Sequence, residues 1–266
     1  MKSANAKLNK LKEVLQRCGG AVIAFSGGVD STFLAWIAHC VLPERVLAIT
    51  ATSETYPEHE IKTARNLAQQ LGFSHMIIHT EELSDERFIS NPPNRCYHCK
   101  KALFARLWQI AEKHGFSYVL DGTNFDDRLD HRPGMDAAKE LGIKSPLLEA
   151  ELTKEDIRIL SKEMGLPNWD KPAQPCLASR FPYGEEINRE KLLMVKEAEE
   201  FLSGLGLEPL RVRHHGNLAR IETDPKFFHF IMGAADEVSK RLKQIGYSYV
   251  TLDLQGFRTG SLNEVI

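Results

Sequence analysis

A short glycine- and serine-rich segment follows directly on the first strongly apolar run of the chain. The run at 21–25 predicts a buried strand, and the hexapeptide SGGVDS follows it at 26–31. Glycines can adopt backbone angles that are closed to other residues, which lets an anion approach the main chain. A helix beginning after them would direct its N–H groups and its dipole at that anion. The sequence therefore predicts a phosphate site formed by Ser26, Gly27, Gly28, Ser31 and Thr32.

Asp30 is the acidic residue of this segment. A carboxylate repels a neighbouring phosphate unless a cation lies between them, so we predict that Asp30 is a Mg²⁺ ligand. The segment differs from the G-x-x-x-x-G-K-[ST] loop of P-loop NTPases and from the dinucleotide motif G-x-G-x-x-G. A strand–turn–helix corner with a serine cap is the alternative interpretation.

The cysteines form a second group of residues with chemical potential. Cys96 and Cys99 have C-x-x-C spacing at the start of a predicted helix, where thiol pKa values are lowered. They could share a metal centre, form a redox pair or be a chance spacing. Cys176 lies in a loop rich in proline and glycine. Three thiolates without a fourth ligand fit an iron–sulfur cluster with one open iron, and three unconnected thiols are the alternative.

The remaining pattern predicts the elements that position these residues. Short apolar strands at 21–25, 46–51, 75–78 and 118–120 alternate with helices, which predicts an α/β fold with a doubly wound parallel sheet. Ligands of such sheets bind beyond the carboxyl ends of the strands. We therefore expect Ala51, Ser53 and Gly122 to lie at the same edge of the sheet as the phosphate site.

The pattern changes after the proline-rich loop at 167–187. A helix at 188–204, strands at 209–214, 218–223 and 247–253, and a helix at 234–245 predict a smaller α+β unit. We therefore expect one domain at 1–183 and a smaller C-terminal domain at 184–266.

The composition counts against several classes of protein, although it leaves a local basic groove possible. The 266 residues carry a net charge of −2, so no overall basic field indicates a nucleic-acid partner. No apolar run approaches the length of a membrane span, and the polar N-terminus does not read as a signal peptide. Five cysteines are too few and too irregular for a disulfide framework, which favours a reducing cytoplasm.

Four segments carry a resemblance to known families. SGGVDS resembles the pyrophosphate-binding loop of the ATP pyrophosphatase (PP-loop) superfamily, whose fold is of the adenine nucleotide alpha hydrolase-like type. Its members split ATP, adenylate a substrate oxygen and release pyrophosphate. The resemblance implies an adenylation domain at 1–183, with Ala51, Ser53 and Gly122 around its ATP, and a substrate and oligomerisation domain at 184–266. PCLASRFPYG at 175–184 and YVTLDLQGFR at 249–258 resemble the LarE family of ATP-dependent sulfur transferases, as does Arg132-Pro133-Gly134. This resemblance runs over nearly the whole chain.

The resemblance implies a specific reaction. The family adenylates the carboxylates of pyridinium-3,5-biscarboxylic acid mononucleotide and converts them to thiocarboxylates in nickel-pincer nucleotide synthesis, which supplies the lactate racemase cofactor. In one branch the cysteine matching Cys176 is consumed as the sulfur donor. In another branch three cysteines hold a [4Fe–4S] cluster whose open iron carries sulfide. This chain resembles the second branch, which implies that Cys96, Cys99 and Cys176 are cluster ligands and act in catalysis with Asp30.

Several arginines predict an anion site. Arg211 and Arg213 flank one residue of a predicted strand, so both project from the same face, and Arg180 lies four residues after Cys176. Guanidinium groups suit phosphate and carboxylate, although a solvent-facing strand edge is the alternative. The resemblance implies that these arginines bind the substrate, and that Ser179 and Glu199 lie in the same site.

Other functions remain open from the sequence. A tRNA thiolase also joins this ATP loop to cluster-binding cysteines. An amide- or nitrile-forming ligase with a structural metal and a non-catalytic nucleotide-binding regulator are further alternatives. For the sulfur transferase we expect ATP, Mg²⁺ and a [4Fe–4S] cluster, a small mononucleotide substrate, a sulfide or other sulfur donor, and a homo-oligomer. We expect no membrane and no nucleic-acid partner.

Overall fold

The computed structural model describes residues 2–129, 133–172, 174–258 and 260–265. Arg132 of the segment noted above lies outside the described residues. The chain divides into two compact units. The first comprises Met1–Thr80 and Asn94–Gln174, and the second comprises Glu81–Pro93 and Pro175–Ile266.

The strands form one sheet in each unit. The first sheet has four parallel strands in the order β3-β2-β1-β4, and the second has three strands in the order β5-β6-β7. The parallel sheet with its helices confirms the predicted α/β fold. The strands are β1 (Ala21–Ala24), β2 (Val46–Thr52), β3 (Ser74–His79), β4 (Val119–Leu120), β5 (Leu210–His215), β6 (Leu218–Thr223) and β7 (Tyr249–Leu252).

The helices connect these strands and cover the sheets. They are α1 (Lys2–Cys18), α2 (Val29–Val41), α3 (Glu58–Leu71), α4 (Glu86–Ile89), α5 (Arg95–Lys113), α6 (Pro133–Glu140), α7 (Pro146–Glu149), α8 (Lys154–Glu163), α9 (Arg189–Gly204), α10 (Phe228–Gly233) and α11 (Ala235–Ile245). In the described residues, no helix is both long and apolar enough to span a bilayer.

The strands of the first sheet are buried on both faces. Ile23 of β1 packs in one core with Phe33 of α2, whereas Val22 packs in a second core with Phe104 and Leu107 of α5. Strands covered on both sides must be apolar at successive positions, which explains the continuous hydrophobic run at the start of the chain. The strand order reverses at β1, so the crevice expected for ligands opens where the segment at 26–31 begins.

The second unit combines an antiparallel pair, β5 and β6, with β7 parallel to β6. Its core includes Leu202 of α9, Val212 of β5 and Leu242 of α11. This arrangement confirms the smaller α+β unit that the sequence predicts.

The excursion at 81–93 belongs to the second unit although it interrupts the first in sequence. Gly184 N–H donates to Asn91 O at 2.8 Å, Ile187 N–H donates to Ile89 O at 2.9 Å, and Asn91 Nδ2 donates to Pro182 O at 2.6 Å. These bonds join the excursion to the start of the C-terminal portion. The compact units therefore divide after Gln174 and include this excursion, whereas the sequence places one boundary between 183 and 184.

Candidate functional site

The segment at 26–31 forms a tight turn between β1 and α2. Gly27 has φ +72°, and a Cβ at this position would lie 3.0 Å from the Ala64 Cα of α3, so both conformation and space require glycine. Ser31 Oγ accepts from Ser26 N–H at 3.2 Å and donates to Gly28 O at 3.2 Å, which braces the turn. Among the described residues no side chain caps α2. Its first N–H groups are therefore available to an anion.

Gly122 lies against the start of α2. A Cβ on Gly122 would lie 3.1 Å from Ser31 N, so the absence of a side chain lets the end of β4 approach the helix. The neighbouring Asp121 carboxylate accepts from Thr123 Oγ1 at 2.8 Å and from Ser145 Oγ at 2.7 Å. These bonds fix the loop that carries Gly122 at the carboxyl edge of the sheet.

Asp30 forms an ion pair that the sequence does not predict. Lys154 Nζ lies 2.6 Å from Asp30 Oδ2, and the Lys154 N–H donates to Asp126 Oδ2 at 2.8 Å. Asp30 Oδ1 is buried and has no hydrogen-bond partner among the described residues. An unsatisfied carboxylate oxygen fits the ligand type that Mg²⁺ prefers. Thr153 caps α8, so Lys154 is the first residue of this helix. The capping pattern is the sequence signal that could have placed Lys154 at a helix start.

Asn168 is a second residue that the sequence did not identify. Its Nδ2 donates to Gly27 O at 3.1 Å and to Thr32 Oγ1 at 3.0 Å. The Thr32 hydroxyl is thus held inside the protein, beneath the turn, and Thr32 is fully buried. Asn168 lies in a proline-rich loop without periodic pattern, so no local signal indicated this contact.

Two of the residues predicted to bind ATP, Ala51 and Ser53, lie at and beyond the end of β2. Ala51 is half-buried, and Ser53 is buried with its Oγ 2.9 Å from Thr55 Oγ1. Thr50 Oγ1 donates to Phe25 O at 2.8 Å, which ties the ends of β1 and β2 together. The strand ends therefore form one polar edge, as the predicted sheet requires.

Cys96 and Cys99 occupy the beginning of α5, as the sequence predicts. They are three residues apart on a helix that starts at Arg95, so they lie on neighbouring turns of one face. Cys96 is exposed and Cys99 is half-buried. Gly134 at the start of α6 would place a Cβ 3.7 Å from Cys96 O, so α6 packs closely against this turn.

Cys176 belongs to the second unit and precedes the 3-10 turn Leu177–Arg180. It is half-buried, and its carbonyl accepts from Ser179 N–H at 3.0 Å and from Arg180 Nη1 at 3.3 Å. In the part of the chain that the structure describes, no group of three or more His, Cys, Asp and Glu residues is placed to hold a metal ion. As donors, the three thiols suit a cluster with one open iron.

Arg180 and Glu199 form the centre of a charged cluster in the second unit. Arg180 Nε and Nη2 donate to the two Glu199 oxygens at 2.8 and 2.9 Å, and Nη1 donates to Ser179 Oγ at 3.0 Å. Arg180 is only 2% exposed. Burial alone would lower the pKa of Arg180, but the adjacent Glu199 carboxylate raises it above its ordinary value. This guanidinium is therefore charge-compensated.

Arg213 is compensated in a similar way by a carboxylate that the sequence did not identify. Its Nη2 lies 3.0 Å from Glu222 Oε2 and donates to Ser261 Oγ at 2.6 Å, while Nη1 donates to Ser179 O at 2.6 Å. Glu222 is fully buried and also accepts from Arg220 at 2.9 Å. The β5–β6 pairing places Glu222 opposite Arg211, which was the signal that could have revealed it.

Arg211 differs from its two neighbours. Among the described residues, no carboxylate lies within 4.0 Å of its guanidinium, which stacks over the Phe257 ring at 4.5 Å. Burial, together with the charges of Arg213 and Arg180, lowers the pKa of Arg211 to about 10. The structure thus brings together Ser179, Arg180, Glu199, Arg211 and Arg213, and it leaves positive charge at Arg211. This arrangement fits a bound anion.

Comparisons with known proteins cover both units. Residues 4–108 match the family described as NAD synthase. The chain is 45% identical to an uncharacterized protein of Synechocystis sp. over 98% of each chain. It is 40% identical to the pyridinium-3,5-bisthiocarboxylic acid mononucleotide synthase of Lactiplantibacillus plantarum over 92% of this chain and 89% of that relative. It is 25% identical to one subunit of the glutamine-hydrolysing GMP synthase of Archaeoglobus fulgidus, over 73% of this chain and 68% of that relative.

Proposed function

Because the chain belongs to the LarE family of the PP-loop superfamily, we propose that it is an ATP-dependent sulfur transferase acting on pyridinium-3,5-biscarboxylic acid mononucleotide. The observation that carries this proposal is 40% identity over 92% of the chain to a synthase of the corresponding bisthiocarboxylic acid. In this proposal the turn at 26–31 would hold the nucleotide phosphates, and Arg180, Arg211 and Arg213 would bind an anionic group of the substrate.

The proposed reaction begins by activating a carboxylate, whose oxygen is a poor leaving group. A substrate carboxylate oxygen attacks the α-phosphorus of ATP, the bond to the β-phosphate oxygen breaks, and pyrophosphate leaves. The N–H groups at the start of α2 would stabilise the phosphate charge that develops. Sulfide then attacks the acyl carbon, and AMP departs with the former carboxylate oxygen. The product is a thiocarboxylate, and the second carboxylate follows the same course.

Asp30 and Lys154 carry opposite charges and would contribute to phosphate binding in different ways. Asp30 Oδ1, which is buried and unpartnered among the described residues, would hold Mg²⁺. Bound Mg²⁺ would neutralise charge on the phosphates. Lys154, whose Nζ lies 2.6 Å from the other Asp30 carboxylate oxygen, Oδ2, would add a second positive charge beside the same phosphates.

The sulfur source in this proposal is a [4Fe–4S] cluster, which Cys96, Cys99 and Cys176 would hold. The support is the donor set: three thiols without a fourth ligand would leave one iron open for sulfide. Anaerobically purified protein is expected to contain iron and acid-labile sulfide, and to lose both in Cys176→Ala but not in Cys40→Ser, whose thiol is exposed elsewhere. An iron-free protein that transfers sulfur once and gains dehydroalanine at Cys176 would instead make Cys176 the donor.

Pyrophosphate release tests the proposed function. We expect release that depends on pyridinium-3,5-biscarboxylic acid mononucleotide and is absent with tRNA. Release stimulated by tRNA, together with tight and salt-sensitive tRNA binding, would instead identify a tRNA thiolase. A protein that binds ATP without any substrate-dependent release would be a non-catalytic nucleotide-binding protein.

A further inference from the structure

Five arginines of the second unit form a cluster with one positive charge more than the carboxylates of the described residues neutralise: Arg180, Arg211, Arg213, Arg220 and Arg258. Among the described residues, four of its guanidinium groups pair with four carboxylates. The paired groups are Arg180 with Glu199, Arg213 and Arg220 with Glu222, Arg220 and Arg258 with Asp253, and Arg258 with Glu264. Arg211 is the fifth guanidinium and has no carboxylate among the described residues, so the surplus charge is located there.

The Arg211 guanidinium keeps most of its donors for a ligand. Its one hydrogen bond to the described residues runs from Nη1 to Arg258 O at 3.3 Å. Arg211 is 7% exposed, compared with 2% for Arg180 and Arg213. A guanidinium binds phosphate best through two parallel N–H donors, which requires the plane of the group to be fixed.

Phe257 is the side chain that fixes this plane. Its ring lies 4.5 Å from Arg211 Cζ, within the range of an attractive cation–π contact. The Arg211 Cζ lies over the ring, and this contact consumes none of the guanidinium's hydrogen-bond donors. Phe257 therefore restricts the orientation of Arg211 without competing with an anion.

The backbone holds Phe257 in place from both sides. The Phe257 N–H donates to Thr223 O at 2.9 Å at the end of β6, and the preceding Gly256 N–H donates to Asp253 O at 3.0 Å. Gly256 has φ +71°, and a Cβ there would lie 3.0 Å from Thr223 O. The close approach of this turn to β6 thus requires glycine, and it sets the position of the ring.

We propose that Phe257 is a positioning residue that orients Arg211 to bind the phosphate monoester of the mononucleotide substrate. This inference rests on the proposed function for the identity of the substrate. The lowered pKa of Arg211 agrees with it, because a bound dianion would relieve the repulsion from Arg213 and Arg180. Phe257 thereby contributes to the preference for a nucleotide over the corresponding nucleoside.

The kinetic test compares the mononucleotide with its dephosphorylated nucleoside. Phe257→Leu is expected to raise KM for the mononucleotide about 3- to 10-fold, with little change in kcat and no change in KM for the nucleoside. Phe257→Tyr, which keeps an aromatic face, is expected to restore the wild-type preference. Equal effects on both substrates, or no effect on either, would overturn the positioning role.

A binding test separates this inference from the proposed function. The Arg211 Nε–Hε resonance, identified by its loss in Arg211→Lys, is followed while inorganic phosphate is added. We expect a saturable shift in the wild type, weakened about 3- to 10-fold in Phe257→Leu and restored in Phe257→Tyr. Phosphate binding that is unchanged in Phe257→Leu, in a protein that thiolates the mononucleotide, would refute the inference alone. The expected shift in a protein that never turns over the mononucleotide would refute the proposed function alone.

Discussion

Arg180 and Glu199 form a two-point ion pair in which both carboxylate oxygens accept from one buried guanidinium, at 2.8 and 2.9 Å. Glu199 Oε1 also accepts from Val212 N–H at 2.9 Å, so the pair joins the loop after Cys176 to α9 and β5. Because the site residues of the second unit are built around this pair, its loss should affect both stability and substrate binding.

Glu199→Gln is expected to lower the free energy of unfolding by about 3 to 5 kcal/mol, because it leaves the Arg180 charge buried without a counter-charge. Chemical denaturation measures this change. Glu200→Gln is the matched control: Glu200 is exposed on the same helix and lies 4.0 Å from Lys196, so its loss should cost less than about 1 kcal/mol. Similar losses in both variants would show that the Arg180–Glu199 pair is not a buried interaction of this strength.

Gly27→Ala should destabilise the turn through both backbone strain and steric conflict. A left-handed backbone costs a non-glycine residue about 1 to 2 kcal/mol, and the added Cβ would also meet Ala64 at 3.0 Å. Gly19→Ala separates the two effects, because Gly19 has φ +63° with no atom within 4 Å of the added Cβ. Thermal unfolding should rank Gly27→Ala clearly below Gly19→Ala, and ATP binding should be lost only in the former. Equal melting temperatures and retained ATP binding would contradict the close packing of the turn on α3.

Asp30→Ala and Lys154→Met test the ion pair at the phosphate site. Asp30→Ala is expected to abolish substrate-dependent pyrophosphate release while leaving the iron content unchanged. Lys154→Met removes a cation from the site and should slow release about 100-fold. Lys162→Met, at the other end of α8 and over the Trp169 ring, should leave the rate within about twofold of wild type. Normal release in Asp30→Ala would remove Asp30 from the mechanism, and normal release in Lys154→Met would make the ion pair structural.

Arg211→Met and Arg213→Met should differ in their effect on stability, and only Arg213→Met should lower it. Arg213→Met leaves the fully buried Glu222 with less compensation and should cost about 3 kcal/mol. Arg211→Met removes an uncompensated charge and should leave stability unchanged or raise it by up to about 2 kcal/mol, at the expense of substrate affinity. Denaturation of the two variants side by side distinguishes their roles. A comparable loss in both would mean that Arg211 is also charge-compensated.

The effect of Arg211 on the free energy of unfolding should depend on pH, because its pKa differs between the folded and unfolded states. The pKa of Arg211 is about 10 in the folded protein and higher in the unfolded chain, so the folded state disfavours its charge. The free-energy cost of keeping Arg211 charged in the folded protein is fully present at neutral pH, and it shrinks as the pH rises above about 10. The stability difference between wild type and Arg211→Met should shrink over the same range.

The positions of the main elements and of the phosphate turn could be predicted because their signals are local. The apolar run at 21–25 followed by two glycines locates β1, the turn and α2 within a residue or two. The alternation of strands with helices predicts the parallel sheet, and the strand ends then define its ligand-binding edge. The arginines of β5 are brought together as predicted, because alternate residues of a strand share a face.

The partners of these residues could not be predicted because they arise from tertiary contacts. Lys154 reaches Asp30 from a position 124 residues away in sequence, and Asn168 reaches Gly27 from 141 residues away. The assignment of 81–93 to the second unit depends on main-chain bonds such as Ile187 N–H to Ile89 O, which leave no side-chain pattern. Polar residues in loops give no periodic signal, so their contacts appear only in the folded chain.

The stoichiometry of sulfur transfer tests the central claim most directly. Anaerobic protein is incubated with ATP, Mg²⁺, sulfide and pyridinium-3,5-biscarboxylic acid mononucleotide, and AMP, pyrophosphate and product mass are measured together. Sulfur transfer through an acyl-adenylate predicts one AMP and one pyrophosphate for each oxygen replaced by sulfur, with both carboxylates converted. A mononucleotide recovered without sulfur, or sulfur incorporated without matching AMP and pyrophosphate, would contradict the claim.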